Sequence, residues 1–369
     1  MDINSLKKAI NLRQELHKHP EISGEEVITK KILMEFLSEN TTLELFDRGK
    51  WFYALHFEGE DLETIAFRAD FDAILDSSGR PFHGCGHDGH SAILSGFALT
   101  LEGQKLGKNI VLLYQFGEED GSGAIECREV FNEMKIHRIY GLHNMPGYKA
   151  NTLYTKKGTM MFASKGMTIK LTGTQSHASQ PELGSNPAYL IGELTEIVKP
   201  LSNHYGHKYY ELANLEDSTF ATVINIDVGN KTFGVSPSFG EISFTIRSAM
   251  KEDLKLLEES LEEYVKIRCE KYKMEYSIEF ADVFPVTAND EELVDRFVET
   301  IGKSEFELEI MDEALRGSED FGWYSEYAPS LFFFVGSGED RSSIHSEDYE
   351  FLDELIETGV DVFNLIARD

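Results

Sequence analysis

The sequence predicts an α/β fold with a mostly parallel mixed sheet flanked by helices, interrupted by an inserted ferredoxin-like α+β lid domain. Three observations predict it. Short apolar stretches alternate with helical ones towards both ends of the chain. Each apolar stretch runs out into charged or imidazole-bearing residues. The middle of the chain instead reads strand, helix, strand, strand, helix, strand. The boundaries that follow are 1–163 with 281–369 for a discontinuous catalytic domain, and 164–280 for the insert.

The elements follow in order. Ser5 to His19 has apolar residues at helical spacing and stops at Pro20; a second helix runs from Gly24 to Glu39. In "TIAFRADFDA", Ile65 to Phe67 reads as a buried strand that empties into Arg68, Asp70 and Asp72. "SAILSGFALTLEG" reads as a helix with Ala92, Leu94, Phe97 and Ala98 inward. "NIVLLYQF" is a buried strand emptying into Glu118, Glu119 and Asp120; "RIYGLHN" is a third, ending at His143. "SLFFFVGSGED" is a fourth, followed by a loop with His345. Open α/β sheets bind ligands at the carboxyl ends of their strands, where these residues collect. In the insert, "GMTIKLTG", "FATVINIDVG", "GEISFTIRS" and "MEYSIEF" read as strands, with helices over "NPAYLIGELTEIVKPL" and "KEDLKLLEESLEEYVKIRCEKY".

Composition narrows the function classes. A chain of 369 residues has room for roughly two domains of ~100–200 residues each. A net charge of −30 repels nucleic acid and anionic membranes, so neither is expected as a partner. Three cysteines, Cys85, Cys127 and Cys269, are too few for a disulfide framework. The first residues lack the apolar core of a signal peptide, and the longest apolar run, Leu331 to Val335, is too short to span a bilayer. The expectation is a cytoplasmic protein with reduced thiols.

The chemistry concentrates in "FHGCGHDGH", Phe82 to His90. Cys85, His87, Glu119, His143 and His345 together form a thiolate, imidazole and carboxylate set of the kind that binds zinc. Five protein ligands exceed what one ion takes, and two ions sharing ligands would use them all. Gly84, Gly86 and Gly89 allow an irregular loop in which Cys85 and His87 face one centre, with Asp88 orienting a ligating imidazole. Asp72 joins Asp88 as a second carboxylate behind the ligands or towards substrate. His17 and His19 read as solvent-facing or helix-capping, and "LEESLEEYVK" as a solvated helix face.

From Leu12 to near the C-terminus the chain resembles a known family. The likeness rests on "LRQELHKHPEISGEE", "FRADFDA", "FHGCGHDGHSAIL", "QFGEEDGSGA", "GLHNMPG", "GTQSHASQPELGSNP", "FTIRS", "GSEDFGWYS" and "HSEDYEF", in the family's order and spacing. The family is the two-metal amidohydrolases: hippurate hydrolases, N-acyl-amino-acid hydrolases and auxin-conjugate hydrolases, within the aminoacylase and carboxypeptidase G superfamily. The resemblance implies Cys85, His87, Glu119, His143 and His345 as ligands of two divalent ions, zinc first, with manganese, cobalt and nickel as alternatives. It implies Glu118 as general base, His177 of "SHAS" as a donor to the substrate carbonyl, and a lid that mediates a homodimer. Arg247 of "FTIRS" suits bidentate capture of a substrate carboxylate, with a salt-bridged strand residue as the other reading.

The implied activity is hydrolysis of the amide of a small N-acyl amino acid. A dipeptidase or carboxypeptidase with the same centre is the nearest alternative, and a non-catalytic metal-binding protein the alternative of another class. Four positions depart from the family pattern. Phe116 and Gly117 replace Pro-Ala, Gly234 replaces an asparagine, Glu347 replaces a proline, and the segment between Asp72 and His83 is short. The short segment reshapes the expected pocket rim, the departures together bear on substrate specificity, and none removes an implied ligand.

Overall fold

The structure is a computed structural model and describes residues 1–202 and 212–369. The described residues form two compact units: Met1–Met160 with Thr287–Ala314 and Glu319–Asp369, and Met161–Val286 with Leu315–Ser318.

In the first unit, the described residues form an eight-stranded mixed sheet. Its middle is four parallel strands in the spatial order Asn109–Gln115, Thr64–Asp70, Arg138–Met145, Ser330–Gly336. Nearly every residue of these strands is buried, as expected of parallel strands covered on both faces. The flanking strands Phe52–His56 and Leu153–Thr155 join the sheet antiparallel. All four central strands point the same way, so the residues after their carboxyl ends gather along one edge of the sheet.

The helix His87–Leu101 lies between the sheet and the helices Ile3–Leu16 and Leu355–Arg368. It is buried nearly all round, which explains why its sequence carries Ser91, Ser95 and Gly96 among the apolar residues. Ser91 donates to the Asp70 carbonyl at 2.7 Å, and Ser95 and Tyr114 share a hydrogen bond at 3.0 Å. A Cβ on Gly96 would lie 2.8 Å from Val360 and 3.3 Å from Ala9, so the glycine lets three helices meet. The helix starts four residues earlier than predicted. Gly86, at φ +97°, forms its N-cap. His87, Asp88 and His90 therefore sit in a first helical turn and not in an irregular loop. The one-faced burial expected for this helix gives way to burial on all sides because a second helix layer covers it.

The second unit is a four-stranded antiparallel sheet in the spatial order Thr219–Val228, Phe239–Ser248, Ala163–Thr172, Glu275–Phe284. In chain order this is 2-3-1-4, the ferredoxin-like arrangement. After an exposed Phe239, the strand Phe239–Ser248 alternates between buried and half-buried residues, so one sheet face carries the core. Met167, Ile169, Ile242, Phe244 and Ile246 pack there with Leu190 and Leu194 of the helix Pro187–Val198 and Leu257 and Leu261 of Lys251–Tyr272. Pro187 at the start of the first helix fits because that position has no intrahelical partner to lose, and Asn186 caps it through Ala188. Among the described residues, no helix is long and apolar enough to cross a membrane.

Candidate metal centre

The five candidate ligands come from three strand ends and the start of one helix. Cys85 precedes the helix His87–Leu101, and His87 begins it. Glu119 follows the strand Asn109–Gln115, and His143 lies near the end of Arg138–Met145. His345 follows Ser330–Gly336 in a loop whose backbone is tied to the cysteine segment by His345 N–H donating to the Gly84 carbonyl at 2.7 Å. The structure brings all five together. Donor atoms of Cys85, His87 and His143 lie within 4.8 Å of one another, as do those of Cys85, Glu119 and His345. The two trios share the Cys85 sulfur.

Two of the three imidazoles are turned by their other nitrogen. His87 Nδ1 donates to Asp72 Oδ1 at 2.8 Å. His143 Nδ1 donates to the Asn144 carbonyl at 2.6 Å, leaving Nε2 3.4 Å from Cys85 Sγ. His345 Nε2 lies 3.5 Å from Glu119 Oε1. The centre fits a cation by its unmet needs. His87 Nε2 and Glu119 Oε1 are buried without a hydrogen-bond partner and stand 3.8 Å apart. A buried imidazole nitrogen and a buried carboxylate oxygen, both without a partner, with a thiol and two more imidazoles around them, form a donor set that divalent ions of borderline softness satisfy.

Burial, reinforced by the Glu119 charge, pushes the Cys85 thiol well up in the absence of a cation. Burial, with His90 and His87 nearby, holds His143 well below the usual imidazole range. Burial would also lower His87, but the charges of Asp70 and Cys85 and the Asp72 hydrogen bond prevail and hold it well above that range. Glu118 is buried, and desolvation, then the charges of Glu319, Glu119 and Asp320, push its carboxyl well up. Its Oε2 is 3.9 Å from His87 Nε2.

Of the two carboxylates expected behind the candidate ligands, Asp72 is there and Asp88 is not. Asp88 accepts from His17 Nδ1 at 2.8 Å and lies 3.7 Å from Arg13, so it turns away from the ligating imidazoles. Asp72 takes the place behind His87. The helix start at Gly86 decides this, because consecutive residues in its first turn point in different directions. His17 is accordingly bonded to a buried carboxylate and not simply solvent-facing or capping.

Behind the candidate ligands is a buried network that sequence reasoning missed. The Arg68 guanidinium donates to Asp70 at 2.7 Å, Asp320 at 2.8 Å and Gln115 at 2.8 Å, and pairs with Glu319 at 3.1 Å. Asp70 in turn accepts from His90 Nδ1 at 2.7 Å. The signal was visible in part: a charged "RAD" ending an apolar strand, and a second histidine in "CGHDGH". Its partners lie up to 252 residues away.

The departing positions have local explanations. Gly117 sits at φ +58°, which suits glycine, and its N–H donates to Glu26 at 2.8 Å. Phe116 is fully buried under the Lys50 ammonium, 4.9 Å from the ring centre. Glu347 bonds Ser77 on the short segment after Asp72.

In the second unit, His177 is exposed. Its Nδ1 accepts from the Ser179 N–H at 3.1 Å, so the ring proton is on Nε2, available to an acceptor. The neighbouring Ala178 N–H donates to the Gly234 carbonyl at 3.0 Å. Arg247 donates to the Arg316 carbonyl at 3.0 Å and the Ser318 hydroxyl at 3.1 Å, which sets its guanidinium against the strip Leu315–Ser318.

Residues 57–369 match the peptidase family M20/M25/M40. Among curated proteins, the chain is 27% identical to a hippurate hydrolase of Campylobacter jejuni, covering 96% of this chain and 94% of that protein. It is 27% identical to an N-acetylcysteine deacetylase of Bacillus subtilis, covering 89% and 88%. Among solved structures, a putative aminohydrolase from methicillin-resistant Staphylococcus aureus superposes with a TM-score of 0.86 at 23% identity, covering 99% of this chain and 97% of that one. A Bacillus subtilis protein described as a dinuclear metal-binding peptidase of the M20 family superposes with a TM-score of 0.81 at 23% identity, covering 100% and 98%.

Proposed function

We propose, from the premise that this chain belongs to the peptidase family M20/M25/M40, that it is a metal-dependent amidohydrolase cleaving the amide bond of an N-acyl amino acid. One observation carries the reading: the unpartnered, buried His87 Nε2 and Glu119 Oε1 facing each other among Cys85, His143 and His345. Relatives named for hippurate, N-acetylcysteine and N-acetyldiaminopimelate support the substrate class.

Cys85, His87, Glu119, His143 and His345 would hold two divalent ions, zinc first; when bound, these supply the Lewis acidity that acidifies a water and polarises the acyl carbonyl. Asp72 and the Asn144 carbonyl orient the imidazoles of His87 and His143. Glu118, one residue from Glu119, takes the proton of the attacking water on its carboxylate. It then passes that proton to the nitrogen of the departing amino acid, so the amine leaves neutral. No side chain needs to form a covalent bond to the acyl group. His177 is assigned a donor role towards the substrate carbonyl by the family resemblance, and its Nε2 proton supports that assignment. Arg247 as a carboxylate partner, a homodimer through the second unit, and a cytoplasmic location belong to the same reading. The last is in keeping with three buried free cysteines.

The test is a substrate panel on protein reconstituted separately with Zn²⁺, Mn²⁺, Co²⁺ and Ni²⁺. N-acetyl, N-benzoyl and indoleacyl amino acids are compared with free dipeptides. Release of amino acid from the acylated set supports the proposal. Activity confined to free dipeptides makes the protein a dipeptidase. No turnover with two ions bound per chain makes it a binding protein.

A further inference from the structure

Asn144 stands where the ligand-bearing segments meet. It follows His143, and its carbonyl holds His143 Nδ1. Its backbone N–H points at His90 Nε2, 3.2 Å away. Its side-chain amide spans two groups: His90 Nε2 at 2.7 Å and the Tyr349 hydroxyl at 2.7 Å. Asp70, His90, Asn144 and Tyr349 are all buried, so the chain of contacts from Asp70 to Tyr349 is shielded from water.

Tyr349 belongs to the segment that carries His345. Its N–H donates to the Ser346 carbonyl at 3.0 Å, closing the turn directly after the histidine. That segment has no helix or strand of its own. His345 is half exposed and has a positive φ of +67°, a conformation that a non-glycine residue keeps only when its surroundings hold it. The glycines of the cysteine turn show how closely Tyr349 and Phe351 are seated. A Cβ on Gly86 would lie 2.5 Å from the Tyr349 hydroxyl and 2.4 Å from the Asn144 amide. A Cβ on Gly89 would lie 2.2 Å from the Phe351 ring. These two glycines of "CGHDGH" make room for the segment that follows His345.

We infer that Tyr349 is a positioning residue for the metal centre: through Asn144, its hydroxyl fixes the His345 segment to the strand end bearing His143 and the helix turn bearing His87. The inference rests on the two-cation reading above. An irregular segment that delivers one ligand must be pinned near that ligand, or ordering it costs affinity each time an ion binds. The hydroxyl does this four residues from His345, while the ring and Phe351 supply the packing.

The test uses the full chain, stripped of metal and titrated with Zn²⁺ against a chromophoric chelator, with Co²⁺ absorption spectra as a second readout. Wild type is expected to bind two ions. Tyr349→Phe, which removes one oxygen and keeps the ring, is expected to weaken one of the two sites by ~10–100-fold. The other site and the melting temperature of the metal-free protein should stay at wild-type values, which a merely structural role would not give. Asn144→Ala should weaken the same site, and the double variant should lose no more than the larger single loss, because both act through one bond. Two sites of unchanged affinity in Tyr349→Phe would overturn the inference. So would a metal-free melting temperature that falls in step with the affinities, which would make the hydroxyl part of general packing. Wild type that binds no cation would overturn the two-cation reading and this inference with it.

Discussion

His87 is held from behind by Asp72: its Nδ1 donates to Asp72 Oδ1 at 2.8 Å, and its Nε2 faces Glu119 Oε1 at 3.8 Å. The other oxygen of Asp72 accepts from the Ser23 hydroxyl at 2.7 Å and the Glu119 N–H at 2.9 Å. One carboxylate therefore orients two of the five candidate ligands, an imidazole by its ring and a glutamate by its backbone.

Asp72→Asn is expected to keep the fold and to lower divalent-ion affinity by ~10–100-fold. An amide is a weaker acceptor for the imidazole, and its NH₂ accepts from neither Ser23 nor Glu119. Zn²⁺ competition titration checks this, with circular dichroism as the control. Wild-type affinity would show that Asp72 does not set the orientation of His87.

Glu118→Gln keeps the shape of the side chain and removes its ability to take a proton. Turnover is expected to fall by ~10²–10⁴, with metal content unchanged. Steady-state kinetics and elemental analysis on the same preparation check it. Turnover within a few-fold of wild type would assign the proton transfer elsewhere.

Arg68→Met removes the guanidinium that neutralises Asp70, Glu319 and Asp320 in a fully buried site. Leaving buried carboxylates uncompensated is expected to cost ~3–5 kcal/mol of folding stability. Urea unfolding at neutral pH measures it; a loss below ~1 kcal/mol would mean the carboxylates do not depend on the arginine.

Glu26 makes the fold sensitive to pH. Burial, then the nearby Asp72 charge, push its carboxyl from an ordinary value of 4.5 up to about 8. The folded state thus holds this proton longer than the unfolded state. Its contribution falls as pH rises from 4.5, and the full penalty is reached above 8. Glu26→Gln keeps the acceptor for the Gly117 N–H and removes the charge. In metal-free protein it is expected to be more stable than wild type by ~2–4 kcal/mol at pH 9 and near parity at pH 5. Denaturant midpoints at the two pH values check this, and a difference independent of pH would contradict it.

Where a residue's role depends on its own stretch of chain, it was legible in the sequence. Apolar runs of strand length, each ending in His, Glu or Asp, place those residues at the carboxyl ends of parallel strands, and parallel strands share one such edge. That reasoning gathers Glu119, His143 and His345 beside Cys85 and His87, and the structure brings them within reach of two shared clusters. The alternating pattern of "GMTIKLTG" likewise shows which face of its strand is buried.

What the sequence by itself determined is therefore the strand edge that collects the candidate donors, because it follows from local periodicity, while the family resemblance singled out the five residues. Only the tertiary structure decided which groups support those donors. The choice between Asp72 and Asp88 behind His87 turned on where the helix begins, at Gly86 in a left-handed conformation. The partners of Arg68 and the link from Asn144 to Tyr349 join residues 252 and 205 positions apart. No local pattern records such pairs, because they exist only once packing has closed the distance and removed the water that would otherwise satisfy the same groups.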